Sequence, residues 1–272
     1  MKSVLRACLL LLALSLFSPR LHAQSAPAKQ LVVALSAPEE PGFLQVKQVA
    51  GAIHVVGYAG KTVVVVATVP PPVARRRPGG TPASSGLRRV DSGPGFEVTA
   101  AETNNHVTIT TDSWRRAIDL TIKVPRQFSL QLSTTQQGDI VVENVAGEFE
   151  ISNMNGSIRL QQVAGSALLN AINGRLVASF TAVTPRAPMS FSTANGSIDL
   201  TLPVAVKATL KLKSDRGAVY SDFDLAVDPA APVQVGPQRL SQSGWTVGRL
   251  NGGGPDITVQ SLEGTIFVRK AR

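Results

Sequence analysis

Apolar and polar residues alternate at short range along most of the chain, and a glycine recurs every nine residues in its middle part. These glycines are Gly138, Gly147, Gly156, Gly165 and Gly174. The residues two and four positions after each glycine are apolar in all five units, and the residue directly after it is polar. Such alternation predicts short strands with one buried face, separated by tight corners at the glycines.

The corners marked by these glycines are of two kinds, and the two kinds alternate. Val-Ala-Gly at 145–147 recurs at 163–165, and Asn-Gly at 155–156 recurs at 173–174. The true repeat is therefore 18 residues long and has two unlike halves. Such a period is typical of stacked-repeat folds, in which each residue lies over the one a full turn earlier. We predict an all-β fold, a parallel β-solenoid similar to a β-helix or β-roll, with about 18–22 residues per turn.

An antiparallel meander or sandwich is the alternative, because Asn-Gly between alternating runs is also a strong hairpin signal. A meander explains the nine-residue spacing, but it gives no reason for the corners to match every second time. The pattern also continues beyond its clearest region, since Asn-Gly-Ser-Ile at 155–158 is copied at 195–198. Weaker copies follow at 216–219 and 263–268. The sequence favours the solenoid.

The corner residues are expected to have a structural role. Glycine suits a corner that needs a positive φ or that leaves no room for a side chain. Asparagine tolerates the left-handed conformation, and amides stacked along an axis can form a hydrogen-bonded ladder. The predicted structural corner residues are Gly138, Gly147, Gly156, Gly165, Gly174, Gly196, Asn155, Asn173 and Asn195.

The first 23 residues have the features of a secretory signal peptide. Lys2 and Arg6 precede an apolar run at 7–17, and a cleavage site follows at Ala23. We therefore expect an exported protein of the periplasm, the cell surface or the extracellular space. The single cysteine, Cys8, lies inside the apolar run, so the mature chain would have no thiol. The mature chain is also predicted to have no transmembrane segment.

The composition of the remaining residues indicates a short N-terminal segment and one domain with an inserted loop. Residues 24–40 are predicted to be a flexible N-terminal segment, and 41–272 a single β-solenoid domain. A proline- and arginine-rich stretch at 70–95 is predicted to be a loop inserted into that domain. Five arginines of this loop are a candidate contact with an anionic surface. They are Arg75, Arg76, Arg77, Arg88 and Arg89.

The chain is basic, with a net charge of +9. Signal-peptide cleavage would remove three basic residues and no acidic one, which leaves a charge of about +6. A basic exported chain can contact an envelope or surface component, such as an anionic polymer or protein. Nucleic acid is not an expected partner, because the basic residues are not interleaved with aromatic ones. Nothing in the sequence indicates an oligomeric state.

No catalytic site, metal site or cofactor is predicted. An enzyme built on a β-helix would need carboxylates gathered on one outer face. At 18-residue steps Glu148 stacks on Ser166 and Glu150 on Leu168, so no acidic pair lies on neighbouring turns of the clear region. Glu148 and Glu150 share one strand face, where two acids usually serve solubility. His54 and His106 lie in separate predicted strands, and Trp114 and Trp245 are expected to anchor a cap or loop. Asp222, Asp224 and Asp228 cluster in the sequence but lack the further oxygen ligands and the glycine of a calcium loop.

Several short motifs resemble those of the bacterial putative-adhesin family, a β-strand-repeat domain of unknown function in exported proteins. They are Gly-Asp-Ile-x-Val at 138–142, Val-Ala-Gly at 145 and 163, Asn-Gly-Ser-Ile at 155 and 195, Gly-Gly-Gly-Pro at 252–255 and the strand at 118–125. The resemblance covers about residues 40–270 and implies a β-solenoid on the cell envelope without known catalytic residues.

The expected function is that of a non-enzymatic exported cell-envelope protein, an adhesin-like structural or interaction scaffold that presents flat β faces. The alternative is a carbohydrate-active enzyme, either a polysaccharide lyase or a glycosidase, on a β-helix.

Overall fold

The computed structural model describes residues 28–70, 96–227, 234–235, 238–239 and 244–272. The regular elements in these ranges are all β-strands, and the same ranges contain no helix. The all-β class predicted from the sequence is therefore confirmed. Two strands form a small separate pair, and the other strands belong to one hydrogen-bonded sheet of 20 strands.

Most of the strands are short, as the alternating pattern predicts, whereas β11 has 16 residues. In the first half of the chain they are β1 (Ala28–Ala34), β2 (Gly42–Gln48), β3 (Ile53–Tyr58), β4 (Thr62–Thr68), β5 (Val98–Thr103), β6 (His106–Thr111), β7 (Asp119–Pro125), β8 (Phe128–Gln137), β9 (Ile140–Glu143), β10 (Ala146–Asn155) and β11 (Ile158–Asn173). The others are β12 (Leu176–Val183), β13 (Met189–Asn195), β14 (Ile198–Leu202), β15 (Ala208–Ser214), β16 (Val219–Ser221), β17 (Ala226–Val227), β18 (Gln234–Val235), β19 (Gln238–Arg239), β20 (Thr246–Leu250), β21 (Asp256–Glu263) and β22 (Ile266–Lys270).

The large sheet consists of two ladders of neighbouring strands. In the first ladder the order is β5, β6, β2, β8, β10, β11, β13, β21, β15, β20 and β17. In the second it is β1, β4, β7, β3, β9, β11, β12, β14, β22 and β16. Strand β11 runs through both ladders, because residues 158–161 pair with β9 and residues 164–173 pair with β10.

The central strands pair in parallel with the predicted 18-residue register. Gly147 lies opposite Gly165, and Asn155 lies opposite Asn173. The amide of Ala164 also donates to the carbonyl of Val145 at 3.0 Å. The Asn-Gly corners of this region therefore join strands that stack in parallel, and they are not hairpin turns.

The predicted parallel stack is not the whole architecture, because the sheet has mixed orientation. At one end β1 and β4 pair antiparallel, as do β4 and β7, and β5 and β6. At the other end β20 is antiparallel to both β15 and β17. Antiparallel strands thus cover both ends of the first ladder and one end of the second, where unpaired backbone groups could otherwise pair with further strands. The second ladder ends at its other side in the parallel strand β16.

The order of strands along the stack also departs from the chain order. The turn made by β2 and β3 lies between the β6–β7 turn and the β8–β9 turn. In the same way, the C-terminal β21–β22 turn lies between the β13–β14 turn and the β15–β16 turn. Each terminal turn is therefore held on both sides by other strands.

The predicted flexible N-terminal segment, 24–40, contains a strand in the structure. Strand β1 pairs antiparallel with β4, and its Leu31 and Val33 pack against the core. Beyond the strand, the backbone amide and hydroxyl of Ser36 both donate to the carboxylate of Glu102. These hydrogen bonds, of which the one from the hydroxyl contributes most, lower the pKa of Glu102. The apolar positions of β1 thus have a partner strand in the structure.

The inward side chains of both ladders form one continuous apolar core. One column of it crosses six neighbouring strands of the second ladder in register. Its members are Ile53, Ile140, Ile158, Leu176, Ile198 and Ile266, each at most 1% exposed. Burying one such side chain contributes about 1.5–3 kcal/mol, so the column is a main source of stability. Since alternate residues face this core, the others must face outward.

The corner glycines are in contact with the backbone of the adjacent turn. A Cβ atom on Gly174 would lie 2.0 Å from the carbonyl oxygen of Gly156, and one on Gly196 would lie 2.1 Å from that of Gly174. At Gly165 the distance would be 1.8 Å, to the oxygen of Gly147, and φ is also +130°. The lack of room expected from the sequence is thus the shared reason for glycine at these corners.

Replacing Gly165 by alanine should destabilise the protein by about 3 kcal/mol or more, because the new methyl group meets a carbonyl oxygen and the backbone is left-handed. Gly252 is the matched control, since it has a φ of +89° with no atom within 4 Å of an added Cβ. Gly252→Ala should lower the free energy of unfolding by only about 1 kcal/mol. Urea unfolding of both variants measures the difference, and equal losses would contradict the close packing of the corners.

Candidate functional site

The predicted corner residues lie in two lines along the stack. Gly147 and Gly165 lie opposite each other in one line, and in the other the asparagines beside the remaining glycines form an amide ladder. The Asn173 side-chain amide donates to Oδ1 of Asn155 at 2.9 Å, and that of Asn195 donates to Oδ1 of Asn173 at 2.7 Å. All three side chains are exposed. The next position of the line is Glu263, which lies opposite Asn195 and forms an ion pair with Arg216. The asparagines thus bond to one another along the edge of the stack.

A second line of polar side chains lies inside the same corners, and the sequence interpretation missed it. These residues stand three positions before a corner glycine, and they are Asn153, Thr193, Ser214 and Ser261. Each donates to a glycine carbonyl of an adjacent turn, for example Asn153 to Gly138 at 2.8 Å and Ser261 to Gly196 at 3.1 Å. Buried carbonyl oxygens need such donors. A recurring polar residue at this spacing is the signal that could have revealed the line.

The outer face of the first ladder carries a groove of about 380 Å³ that we call the acidic groove. It includes Glu148 and Glu150 of β10, with Phe43, Leu168 and Pro188 among its apolar lining. Both glutamates have the predicted neighbours, since Glu148 lies opposite Ser166 and Glu150 opposite Leu168. The Gln131 side-chain amide donates to Glu150 at 3.0 Å. The groove combines two carboxylates with an exposed apolar side chain, because Leu168 is 52% exposed.

The outer face of the second ladder carries two stacked aromatic rings near its C-terminal end. Tyr220 of β16 and Phe267 of β22 lie opposite each other on neighbouring strands. Their ring centres are 5.4 Å apart, and the ring planes differ by 13°. Tyr220 is 57% exposed, and the guanidinium carbon of Arg269 lies 5.1 Å from the centre of the Phe267 ring. An open aromatic surface thus lies beside a cation.

One carboxylate beside these rings contacts two arginines. Asp199 of β14 is 14% exposed, and its oxygens lie 3.2 Å from an Nη atom of Arg175 and 2.9 Å from Nε of Arg269. The hydrogen bond to Asp199 and the charge of this carboxylate raise the pKa of Arg269. Both guanidinium groups are fixed in place although about half of each side chain is exposed. We call Arg175, Asp199, Tyr220, Phe267 and Arg269 the aromatic–arginine patch.

The other candidates from the sequence remain apart. His54 lies 3.6 Å from Glu143 on the second ladder, whereas His106 packs against Phe43 on the first. Trp114 is 65% exposed next to Arg115, and Trp245 lies near Lys213. In the described ranges no three histidine, cysteine or acidic side chains form a group that could hold a metal ion.

The predicted arginine contacts, Arg75, Arg76, Arg77, Arg88 and Arg89, lie outside the described residues, so the proposal for them stays a prediction. Among the residues that the structure does describe, no helix has the length and apolar character needed to cross a membrane.

Asn173→Ala should lower the free energy of unfolding by about 1 kcal/mol, because it removes one donated and one accepted hydrogen bond of the amide ladder. The double variant with Asn155→Ala should lose less than the sum of the two single variants, because both changes remove the same bond. Thermal and urea unfolding measure these losses. An unchanged stability in the single variant would show that the ladder contributes nothing. Full additivity in the double variant would show that the bond between Asn155 and Asn173 contributes nothing.

The comparisons with known proteins concern the overall chain rather than these surfaces. No protein-family model and no curated protein matches the sequence. A solved structure of a "putative cell adhesion protein" from Clostridium sporogenes aligns with 90% of this chain and 100% of its own, at a TM-score of 0.43 and 9% identity. A "putative adhesin" from Bacteroides fragilis aligns with 91% of this chain and 98% of its own, at a TM-score of 0.39 and 10% identity. Membership of the adhesin family therefore stays a prediction from the sequence motifs.

Proposed function

We propose that this protein is a non-enzymatic, exported scaffold of the cell envelope, a β-solenoid-like rod whose outer strand faces bind a surface component. The observation that supports this most directly is the common register of the central strands. It aligns outward side chains of neighbouring strands in continuous columns, while the inward side chains fill a single core.

The length of the outer faces suits an interaction surface. From β6 to β15 the first ladder has eight strands in parallel order, which gives a face about 34 Å long at the usual strand spacing. Because every strand of this face is hydrogen-bonded on both sides or covered by an antiparallel strand, the face is stiff. A stiff surface loses little conformational entropy when it binds.

The proposed location rests on the N-terminal sequence. A basic start, an apolar run and a cleavage site at Ala23 support export. The absence of cysteine after that site gives an experimental advantage, since a single introduced cysteine can be modified without side reactions.

The test uses this advantage to block one face at a time. Ser152→Cys on the first ladder, Ser179→Cys on the second and Thr184→Cys at a corner loop would each be labelled with a bulky polyethylene glycol maleimide. Sedimentation of residues 24–272 with isolated bacterial envelope fragments then measures binding. We expect that a label at 152 or at 179 lowers binding about tenfold, because it shields a flat face, whereas a label at 184 does not.

The corner-loop variant is the control for labelling itself, and circular dichroism of each conjugate checks that the sheet is intact. Equal binding of all three conjugates would contradict a role for the outer faces, and so would an unlabelled chain that does not sediment with the envelope.

A carbohydrate-active enzyme is the second candidate, and the acidic groove is the observation that favours it. Glycoside hydrolysis needs two carboxyl groups at one site, and Glu148 and Glu150 line the same groove. Release of new reducing ends or unsaturated products from a polysaccharide, abolished by Glu148→Gln and retained in Glu143→Gln, would establish this function instead of the scaffold.

A further inference from the structure

We infer that the aromatic–arginine patch binds a glycan chain that carries carboxylate groups, such as a polyuronate. This inference rests on the proposed function, which supplies a binding role for the outer faces, and it adds the site and the chemistry of the ligand. Two features of the patch support it, namely the open aromatic platform and the pair of fixed arginines.

An exposed tyrosine stacked on a second ring offers an apolar platform on an otherwise polar face. One side of the Tyr220 ring packs on Phe267, and the side chain keeps 57% of its surface exposed. A pyranose ring has an apolar face of C–H groups and a polar rim of hydroxyls. An aromatic ring with one open face and a polar hydroxyl matches both features of the sugar.

Asp199 orders the two arginines in positions where they can bind a negatively charged group. Each uses part of its guanidinium to contact Asp199, through Nε in Arg269 and through one Nη in Arg175. A guanidinium has five N–H donors, so donors remain on both side chains for a ligand carboxylate, which planar guanidinium groups bind in a bidentate manner. Because Asp199 already fixes both side chains, binding orders them no further and loses little entropy.

The patch extends across several strands, which fits a chain better than a small molecule. Arg159, Val177, Asp199, Phe267 and Tyr220 are consecutive neighbours across the second ladder. The distance from Arg159 to Tyr220 is therefore about 19 Å at the usual strand spacing. Arg159 is exposed, and it has no ion pair with the described residues. An extended glycan could contact the rings at one end and this third guanidinium at the other.

The charge of the patch favours carboxylated sugars over more strongly charged polymers or lipid surfaces. Asp199 lies between the arginines, and the charge of nearby Asp222 also acts on Arg269. These carboxylates reduce the net positive charge and would repel a closely spaced row of phosphates. A sugar polymer with one carboxylate per residue can place its charges on the guanidinium groups and its rings on the tyrosine.

The experiment measures the binding of residues 24–272 to polygalacturonate by isothermal titration calorimetry. The matched ligand is the same polymer with its carboxylates methyl-esterified. Tyr220→Ala, Arg175→Gln and Arg269→Gln should each weaken binding to polygalacturonate about tenfold, and Tyr220→Trp should retain it. Trp114→Ala and Arg186→Gln are the controls, because they remove an exposed aromatic ring and an exposed guanidinium elsewhere. Thermal unfolding of each variant verifies that it is folded.

Saturable binding that esterification and the three patch variants weaken, with both controls unchanged, would support the site. No binding to polygalacturonate, binding that is indifferent to esterification, or equal losses in the control variants would overturn it. Binding to anionic vesicles or to DNA in preference to polygalacturonate would overturn it as well. If the chain still sediments with envelope fragments and a label at 152 or 179 still lowers this binding, the scaffold survives and only the glycan site fails.

Discussion

Hydrogen bonds between the backbones of adjacent turns fix the register of the central strands. At the corners, the amide of Gly156 donates to the carbonyl of Asn173, and the amide of Gly174 donates to that of Asn195, each at 3.0 Å. At these glycines the two backbones also lie so close that an added Cβ would clash with a carbonyl group of the adjacent turn, so the corners need glycine. Once the register is fixed there, alternation directs every second side chain into the core and the others to the surface. A shift by one residue would exchange the two sets.

The central part of this arrangement could be predicted from the sequence because its signals are local. The 18-residue period alone predicts the partners of Asn155 and of Glu148, and both partners are observed. The ends of the stack could not be predicted in this way. Strands β21 and β22 lie between turns that precede them in the chain, and no local pattern encodes a pairing such as Met189 with Ile257. The antiparallel strands at the ends, β1 among them, likewise depend on which strand edges would otherwise be unpaired.

The same reason explains why the aromatic–arginine patch could not be predicted. Tyr220 and Phe267 belong to the two most degenerate copies of the repeat, and their rings meet only because the last turn inserts beside the turn of Tyr220. Asp199 meets Arg269 through the same insertion. The acidic groove, in contrast, lies in the clear region, where the positions of Glu148 and Glu150 on one strand face were predictable. Chemistry on this fold is thus easiest to predict where the repeat is strongest, whereas the richest combination of side chains lies where the repeat is weakest.

Residues 18 apart in the clear region are direct parallel neighbours, and disulfide formation between introduced cysteines tests this register. Ser152 and Asn170 lie opposite each other on β10 and β11, with both side chains on the surface. In a chain that is otherwise free of cysteine, a cysteine pair at 152 and 170 should form an intramolecular disulfide under mild oxidation, because neighbouring strands bring the Cα atoms within disulfide range. A pair at 152 and 168, displaced by two residues along the strand, should remain reduced. Rapid closure of the displaced pair, or no closure at 152 and 170, would contradict the register.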